Sequence, residues 1–455
     1  MTQKQNTTDA LTNIEKRSIT GLASIFALRM LGLFMIFPVF SVAANQYHGA
    51  TPFLIGIAIG AYGLTQAIFQ VPFGMLSDRI GRKKVITLGL LLFALGSVVA
   101  AMASSIELVI LGRLLQGSGA ISAATMALTA DLTRDEHRTK AMATIGISIG
   151  LSFSLALAFG ALLEGVLGLA GIFWLTAILA LLGIAILHLF IPTPEGLTTH
   201  RDMAPIPTQL RTVLSNSHIM RLVLSILMLH LILTMSFYGL PIALEQAGIA
   251  STAQASVYLP ILLLAFISMI PLIVVAEKKR KMKPVFLTMI SLLLVTQLIW
   301  SQVNTSFAIL FGLWLFFTAF NLLEATLPSM MSKLSPLENK GTALGVYATA
   351  QFIGVFIGGS LGGLLYKYYD LHGLFLCGVI LSAVWLLVVL PMQPPRHLTT
   401  KIIQLTPPID PQQITAQLNA INGVIETMIV SSEKVAYVKY IPEQVDSDAL
   451  NGFST

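Results

Sequence analysis

The sequence predicts an all-α membrane protein of twelve transmembrane helices in two six-helix halves, followed by a small α+β unit. Three observations carry this. Of 455 residues, 55% are hydrophobic and 11% charged, against about 25% charged in soluble domains, and mean hydropathy is +0.81. A soluble chain of this length could not hide so much apolar surface. The apolar residues also fall into runs of the roughly 20 residues that cross a bilayer core as helix, and Lys and Arg keep to one side of those runs.

Residues 1–17 are polar, without a cleavable signal pattern, and the first apolar run is too long for a signal peptide, so it is expected to stay in the membrane. Runs at 18–43, 52–76, 85–103, 107–130, 140–163 and 169–191 make the first half, 18–191. A polar linker at 192–217, with Pro192, Pro194, Pro205 and Pro207, separates it from the second half, 218–391. There the runs lie at 219–244, 254–276, 284–303, 306–331, 342–366 and 372–391. They lack period-2 alternation and are about twice the length of an outer-membrane strand. A shift of about 200 residues lays the 277–283 loop beside the 78–84 loop and Gly312 beside Gly112, a weak repeat of the kind a 6+6 transporter shows.

After a linker at 392–400, residues 401–455 read as a soluble unit. Ile402–Leu405 is a strand. Asp410-Pro411 starts a helix with Ile414, Leu418 and Ile421 on one face, closed by Asn422-Gly423. Val424–Val430 and Val435–Ile441 form a hairpin, and Ser447–Leu450 opens a second helix. This β-α-β-β-α order predicts a ferredoxin-like domain. Three Lys against six Asp and Glu make it acidic, and the basic loop 278–283 is expected to attract it. Its small size makes docking or dimerisation a source of stability. It lacks a C-x-x-C ligand pair, and His397 alone is not a metal site.

Of 27 Lys and Arg, Arg29 and Arg113 lie inside spans and Lys367 at the outer end of the eleventh; the rest fall on the N-terminal segment, the even-to-odd connections and the C-terminal segment. This places both termini in the cytoplasm. The net charge of +6 therefore reports topology and contact with anionic lipid heads, and no nucleic acid partner is expected. Cys377, the only cysteine, sits in the last predicted span, which excludes a disulfide or thiolate metal cluster within the chain. No nucleophile–base pair or metal-ligand spacing points to an enzyme, a metal site or a cofactor.

Ionisable groups deep in a bilayer cost several kcal/mol unless paired or hydrated, so each is a functional candidate. Arg29 lies about 16 Å into the first span, too deep for easy snorkelling, where it either binds an anion or carbonyl or ties spans together. Gly32 and Pro38 allow local bending or unwinding there. Glu324 is the acid well inside the second half, with Asn321 and Pro328 on the same helix face, and desolvation suits it to loading and releasing protons. His230 is the other natural titrator, or else a satisfied core histidine. Tyr62, Gln66 and Gln70 form one polar stripe, Tyr347 and Gln351 another; either lines a substrate cavity or hydrogen-bonds between helices. The apolar remainder of the interior points to a hydrophobic or amphipathic small-molecule substrate.

Two motifs carry a resemblance. Gly74-Met75-Leu76-Ser77-Asp78-Arg79-Ile80-Gly81-Arg82-Lys83 fills every defined position of G-x-L-x-D-R-x-G-R-K, and Arg113-Leu114-Leu115-Gln116-Gly117 matches R-x-x-Q-G. Over about 390 residues the chain resembles the major facilitator superfamily of secondary transporters. With Leu28-Arg29-Met30-Leu31-Gly32, Asp131-Leu132-Thr133-Arg134 and the ferredoxin-like tail, it most resembles bacterial inner-membrane members grouped with drug–proton antiporters. The resemblance implies that Arg113, with Gln116, lines the central cavity and takes part in proton coupling. It also implies that Gly74, Asp78, Arg79, Gly81 and Arg82 latch the cytoplasmic side shut in the outward-open state, Asp78 near the start of the eleventh helix at Gly341-Thr342 and Arg82 on Asp131. One departure stands out: Phe159-Gly160-Ala161 lacks the proline of the fifth-span antiporter pattern. The expectation is an exporter driven by the proton gradient; the alternatives are a proton symporter importing a nutrient, or a membrane sensor acting through its tail.

Overall fold

The computed structural model describes residues 11–194, 209–393, 399–405, 410–430, 435–442 and 444–445. Thr12 opens α1 (Asn13–Phe34): its hydroxyl accepts from the Glu15 amide while the Glu15 carboxylate accepts from the Thr12 amide, a reciprocal cap that starts the helix ahead of the apolar run at 18. Residues 35–39 turn through Pro38, which has no N–H to extend the ladder, into α2 (Phe40–Ala43). Gly81 alone joins α3 (Pro52–Ile80) to α4 (Arg82–Ala101), at a φ of 104° that suits only glycine. The fourth predicted span is two helices, α5 (Ile106–Ser118) and α6 (Ser122–Asp131), interrupted at 119–121.

The backbone of α7 (Asp135–Leu189) breaks at Gly168, so it holds two crossings. The described end of the predicted linker 192–217 is a short helix, α8 (Leu210–Ser215), leading into α9 (Ser217–Gln246). Then follow α10 (Gln254–Glu277), α11 (Met282–Gln302), α12 (Ser306–Leu334) and α13 (Lys340–Val389), the last broken at Asp370, again into two crossings. Among the described residues, ten helices are long and apolar enough to cross a membrane, α5 and α6 counting as one. With α7 and α13 each counted as two, they supply the twelve crossings read from the sequence.

Helix α13 is the spine of the packing, and its glycines divide into two faces. Gly354 and Gly358 press on the Leu227 and Leu231 carbonyls of α9, while Gly359 and Gly363 meet Gly56, Gly60 and the Pro52 carbonyl of α3. A β-carbon at Gly60 would stand 2.8 Å from the Phe356 carbonyl, and one at Gly63 2.6 Å from that of Phe352. This second face joins the two halves at the Pro52 end of α3 and the part of α13 leading to its break at Asp370. Aromatic contacts also join the halves, Phe37 on Phe237 at 6.0 Å and Phe153 on Phe317 at 6.2 Å between ring centroids.

The C-terminal unit comprises β1 (Thr399–Gln404), α14 (Pro411–Asn419), β2 (Val424–Val430) and β3 (Val435–Tyr440). The sheet order is β1-β3-β2, both pairings antiparallel, which is the split β-α-β of a ferredoxin-like fold. Asp410 caps α14 by accepting from the Gln412 and Gln413 amides. β1 starts at Thr399, inside the stretch read as linker, and the second helix expected at 447–450 lies outside the described residues, as does His397. One sheet face buries Ile403, Ala436 and Val438 under Leu418.

The other sheet face is covered by the α12–α13 loop. Leu337 packs among Met428, Val430, Val435 and Tyr437; its amide donates to Glu426 at 2.8 Å, and Lys439 donates to the Ser335 carbonyl at 2.8 Å. Burial pushes the Lys439 ammonium down, and Glu426 opposes that shift. These contacts dock the tail on the membrane part, and burying a Leu contributes about 1.5–3 kcal/mol to such a contact. Of the tail's acids, Glu433, Glu443, Asp446 and Asp448, which the basic loop 278–283 is expected to attract, lie outside the described residues.

Gly359→Val should overpack the α3–α13 seam by about 1–3 kcal/mol and open it, read as faster thiol labelling of Phe237→Cys in a Cys377→Ser background. Leu337→Asp should release the tail, with amide exchange on β3 rising about 30-fold for a loss of about 2 kcal/mol.

Candidate functional site

Three helices of the second half meet at one polar cluster. Gln351 on α13 places its Nε2 2.8 Å from His230 Nε2 on α9 and donates to Glu324 Oε1 on α12 at 3.3 Å. His230 Nδ1 lies 3.3 Å from the Ile226 carbonyl. A consistent assignment follows: His230 is neutral, donates from Nδ1 and accepts at Nε2 from the Gln351 amide. Glu324 Oε2 is 3.8 Å from His230 Nε2, so a proton reaching the imidazole would lie beside a carboxylate. The Glu324 side chain is 38% exposed and that of His230 9%.

Asn321 and Tyr347 border this cluster with spare capacity, the Asn321 Nδ2 and Tyr347 hydroxyl being buried without hydrogen-bond partners. His230 also packs on Phe320 at 5.9 Å, and the aromatic contacts run on from Phe320 to Phe153 and from Phe153 to Phe34. The site is thus a polar corner in an aromatic wall shared by both halves. The i−3 spacing of Asn321 and Glu324 was legible in the sequence; the choice of His230 and Gln351 as neighbours was not.

The first half holds a second network. Arg29 donates to the Gln66 side-chain carbonyl at 2.7 Å and to the Gly119 carbonyl at 3.0 Å, and Gln66 donates on to Gln70 at 3.1 Å. That carbonyl lies at the break between α5 and α6, where it also accepts from the Ile121 amide at 2.9 Å. Arg113 donates to the Ala58 and Ile59 carbonyls of α3 and to Gln116, which donates to Ser97; its guanidinium stacks 4.6 Å over Tyr62. Arg113, Gln116 and Tyr62 are fully buried or nearly so. In this conformation they tie α5 to α3 and α4 instead of lining an open cavity, because carbonyls and an amide satisfy the guanidinium where the resemblance implied cavity exposure. Of the polar stripe, Gln66 hydrogen-bonds between helices, Gln70 bonds Gln66 on the same helix, and Tyr62 meets α5 through its ring under Arg113.

The charged loop is built around Arg82. Its Nε donates to Asp131 Oδ2 at 3.2 Å, and its Nη1 donates to Ser77 Oγ at 2.8 Å and pairs with Asp78. Arg82 is 4% exposed and the Asp131 side chain 1%. Gly74 lets α3 approach Ala123 of α6, within the same half, and Arg79 is exposed. The expected approach of Asp78 to the start of α13 is not among its described bonds. Asp78 instead pairs with Arg82, four residues on. Two participants escaped the sequence reading. Ser77 sits at an undefined motif position, and Glu15 accepts from the Arg134 backbone and guanidinium at 2.9–3.0 Å, a pairing across 119 residues that no local pattern announces.

A family model described as Major Facilitator Superfamily matches residues 22–323 and 275–415. The inner membrane transport protein YajR of Escherichia coli (strain K12) is 45% identical over 441 residues, covering 96% of each chain. Multidrug resistance protein 1 of Bacillus subtilis (strain 168) is 24% identical over 398 residues, 85% of this chain and 99% of that one. Among solved structures, the human organic anion transporter MFSD10 matches with a TM-score of 0.61 at 18% identity, covering 83% of this chain and 100% of that one. A bacterial homologue of the lysosomal transporter Spinster, in an inward-facing and unoccupied conformation, matches with a TM-score of 0.63 at 13% identity, covering 84% and 96%. The last two establish likeness of fold.

Asp131→Ala should destabilise the protein by about 3–5 kcal/mol, since it strands a buried guanidinium, whereas Asp78→Ala, whose side chain is 26% exposed, should cost about 1 kcal/mol. Thermal unfolding in detergent checks the ranking.

Proposed function

The chain belongs to the major facilitator superfamily, and on that premise we propose that it is a proton-coupled exporter of a small hydrophobic or amphipathic compound. It is a multi-pass inner-membrane transporter, embedded in the bilayer and acting on a small molecule; the coupling, the direction and the cargo class are the proposal. The observation that carries it is Glu324: an acid at mid-span, 38% exposed, bonded to Gln351 and beside His230.

In the proposed cycle the halves 18–191 and 218–391 rock about the cavity, joined by 192–217, with both termini cytoplasmic. A proton on Glu324 neutralises the carboxylate and lowers the cost of enclosing it in an apolar interior. Substrate entering from the cytoplasm displaces that proton or is admitted by its loss, and the released acid must be reloaded from outside before the return. Arg29 and Arg113 hold the first half rigid during this motion. Arg82, paired with Asp78 and Asp131, is the component of the cytoplasmic latch that re-forms toward α13 when the outer seam opens. The aromatic wall supports an apolar cargo, and the relative named for multidrug resistance supports the outward direction.

Glu324→Gln should abolish flux driven by a pH gradient in proteoliposomes while leaving thermal unfolding unchanged; retained proton-driven flux rejects Glu324 as the coupling acid. In the wild type, cargo leaving against the inward proton gradient supports export, and cargo accumulating with it overturns that direction.

A further inference from the structure

The cytoplasmic ends of α1, α4 and α7 enclose a cavity of about 340 Å³ that none of the transport chemistry uses. Its walls include Arg17, Lys83 and His188, with Ile14, Leu189 and Ile191 as apolar surface. The two cations and the histidine come from three separate helices and are held in place. Arg17 Nη2 donates to the Leu189 carbonyl at 2.7 Å, Lys83 Nζ to the Ile191 carbonyl at 2.5 Å, and His188 Nε2 shares a 2.9 Å contact with Thr87. The first two anchors each consume one donor. A guanidinium has five N–H groups and an ammonium three, so both retain donors for a ligand, and among the described residues no carboxylate lines the cavity.

We propose that this cavity seats the headgroup of an anionic phospholipid. The shared chemistry is a phosphate oxyanion received by a guanidinium fork and an ammonium. Two features favour a lipid over a free phosphate. The site lies at the rim where helices leave the bilayer, and the apolar residues beside it are open: Ile14 is 62% exposed, Leu189 69% and Phe190 53%. Acyl chains would cover that surface, and a soluble anion would leave it bare. The cavity also exceeds the size of an inorganic phosphate and suits a headgroup with its glycerol. Basic pockets between transmembrane helices bind such headgroups, each cation contributing about 1 kcal/mol, or roughly fivefold in affinity. A lipid seated there would join the ends of the first, third and sixth crossings, within the first half, without dependence on the direction of transport.

The test uses the full chain in detergent, incubated with equal phosphatidylglycerol and phosphatidylethanolamine and then examined by native mass spectrometry, with thermal unfolding measured against each lipid and against inorganic phosphate. The expected result is retention of phosphatidylglycerol over phosphatidylethanolamine by about fivefold or more and a rise in Tm of about 2–4 °C with phosphatidylglycerol alone. The variant Arg17→Gln/Lys83→Gln should lose both. Should that variant not fold, Ile14→Glu, which sets a carboxylate at the exposed mouth, should lose them instead. Equal retention of the two lipids overturns the proposal, as does a preference that survives the substitutions. A Tm rise reproduced by inorganic phosphate assigns the cavity to a soluble anion and overturns the lipid.

Discussion

A charge carried into a bilayer must find its partners before helices can close around it, and the interior of this molecule is organised by the ways that requirement is met. Arg113 is satisfied by carbonyls of α3 and by Gln116, Arg29 by Gln66 and the Gly119 carbonyl, and Arg82 by Asp131, Asp78 and Ser77. Each solution dictates local backbone. The interruption between α5 and α6 leaves the Gly119 carbonyl to be shared by Arg29 and the Ile121 amide, and the single-residue turn at Gly81 puts Arg82 at the head of α4, facing the end of α6. Arg113 is saturated at all three nitrogens, whereas Arg29 bonds through Nη2 alone and leaves Nε and Nη1 buried without partners. Glu324 likewise leaves Oε2 without a hydrogen bond but is 38% exposed, where Arg29 is buried.

Glycine placement supplies the complementary constraint. Two helices can slide or separate only where side chains do not interlock, and α13 offers a bare face to each neighbour. Against α9 the contact lies within one half, at Gly354 and Gly358; against α3 it crosses between halves, at Gly359 and Gly363. Both contacts bring backbone to backbone, with no charge to unpair on opening. The cost of separating the outer seam is therefore van der Waals contact spread over a few residues, a scale that substrate and proton binding can offset.

Much of this architecture was legible in the sequence, and the illegible parts share a cause. Twelve crossings follow from run length and the placement of Lys and Arg, since hydropathy and topology are local properties. The Arg82–Asp131 pair followed from motif resemblance, and the shared face of Asn321 and Glu324 from helix periodicity. The Glu15–Arg134 contact, the carbonyl partner of Arg29 and the seat of Leu337 under the β-sheet could not be read, because each joins residues far apart in the chain through an otherwise ordinary side chain or backbone group. The tail shows the difference well: its strands and capped helix were apparent from alternation and Asp410-Pro411, yet charge pointed to the loop at 278–283 and shape to the loop at 335–337.

The geometry also constrains how a proton on Glu324 could govern the two halves. Gln351 and His230 belong to α13 and α9, which are locked backbone to backbone, and Glu324 lies on α12 in the same half. Rocking of one half against the other leaves these three groups together, unlike a latch whose ion pairs are exchanged. In the proposed cycle, coupling then acts through access and solvation, the same cluster opening to one side while the Gly56–Gly363 seam is closed and to the other when it parts. A charged carboxylate resists the dry, closed intermediate between those states more strongly than a neutral one, so protonation or a bound substrate selects which loaded forms can cross. The tail bears on the same step from outside the bilayer, since Leu337 sits on the loop that joins the helix carrying Glu324 to the helix carrying Gln351.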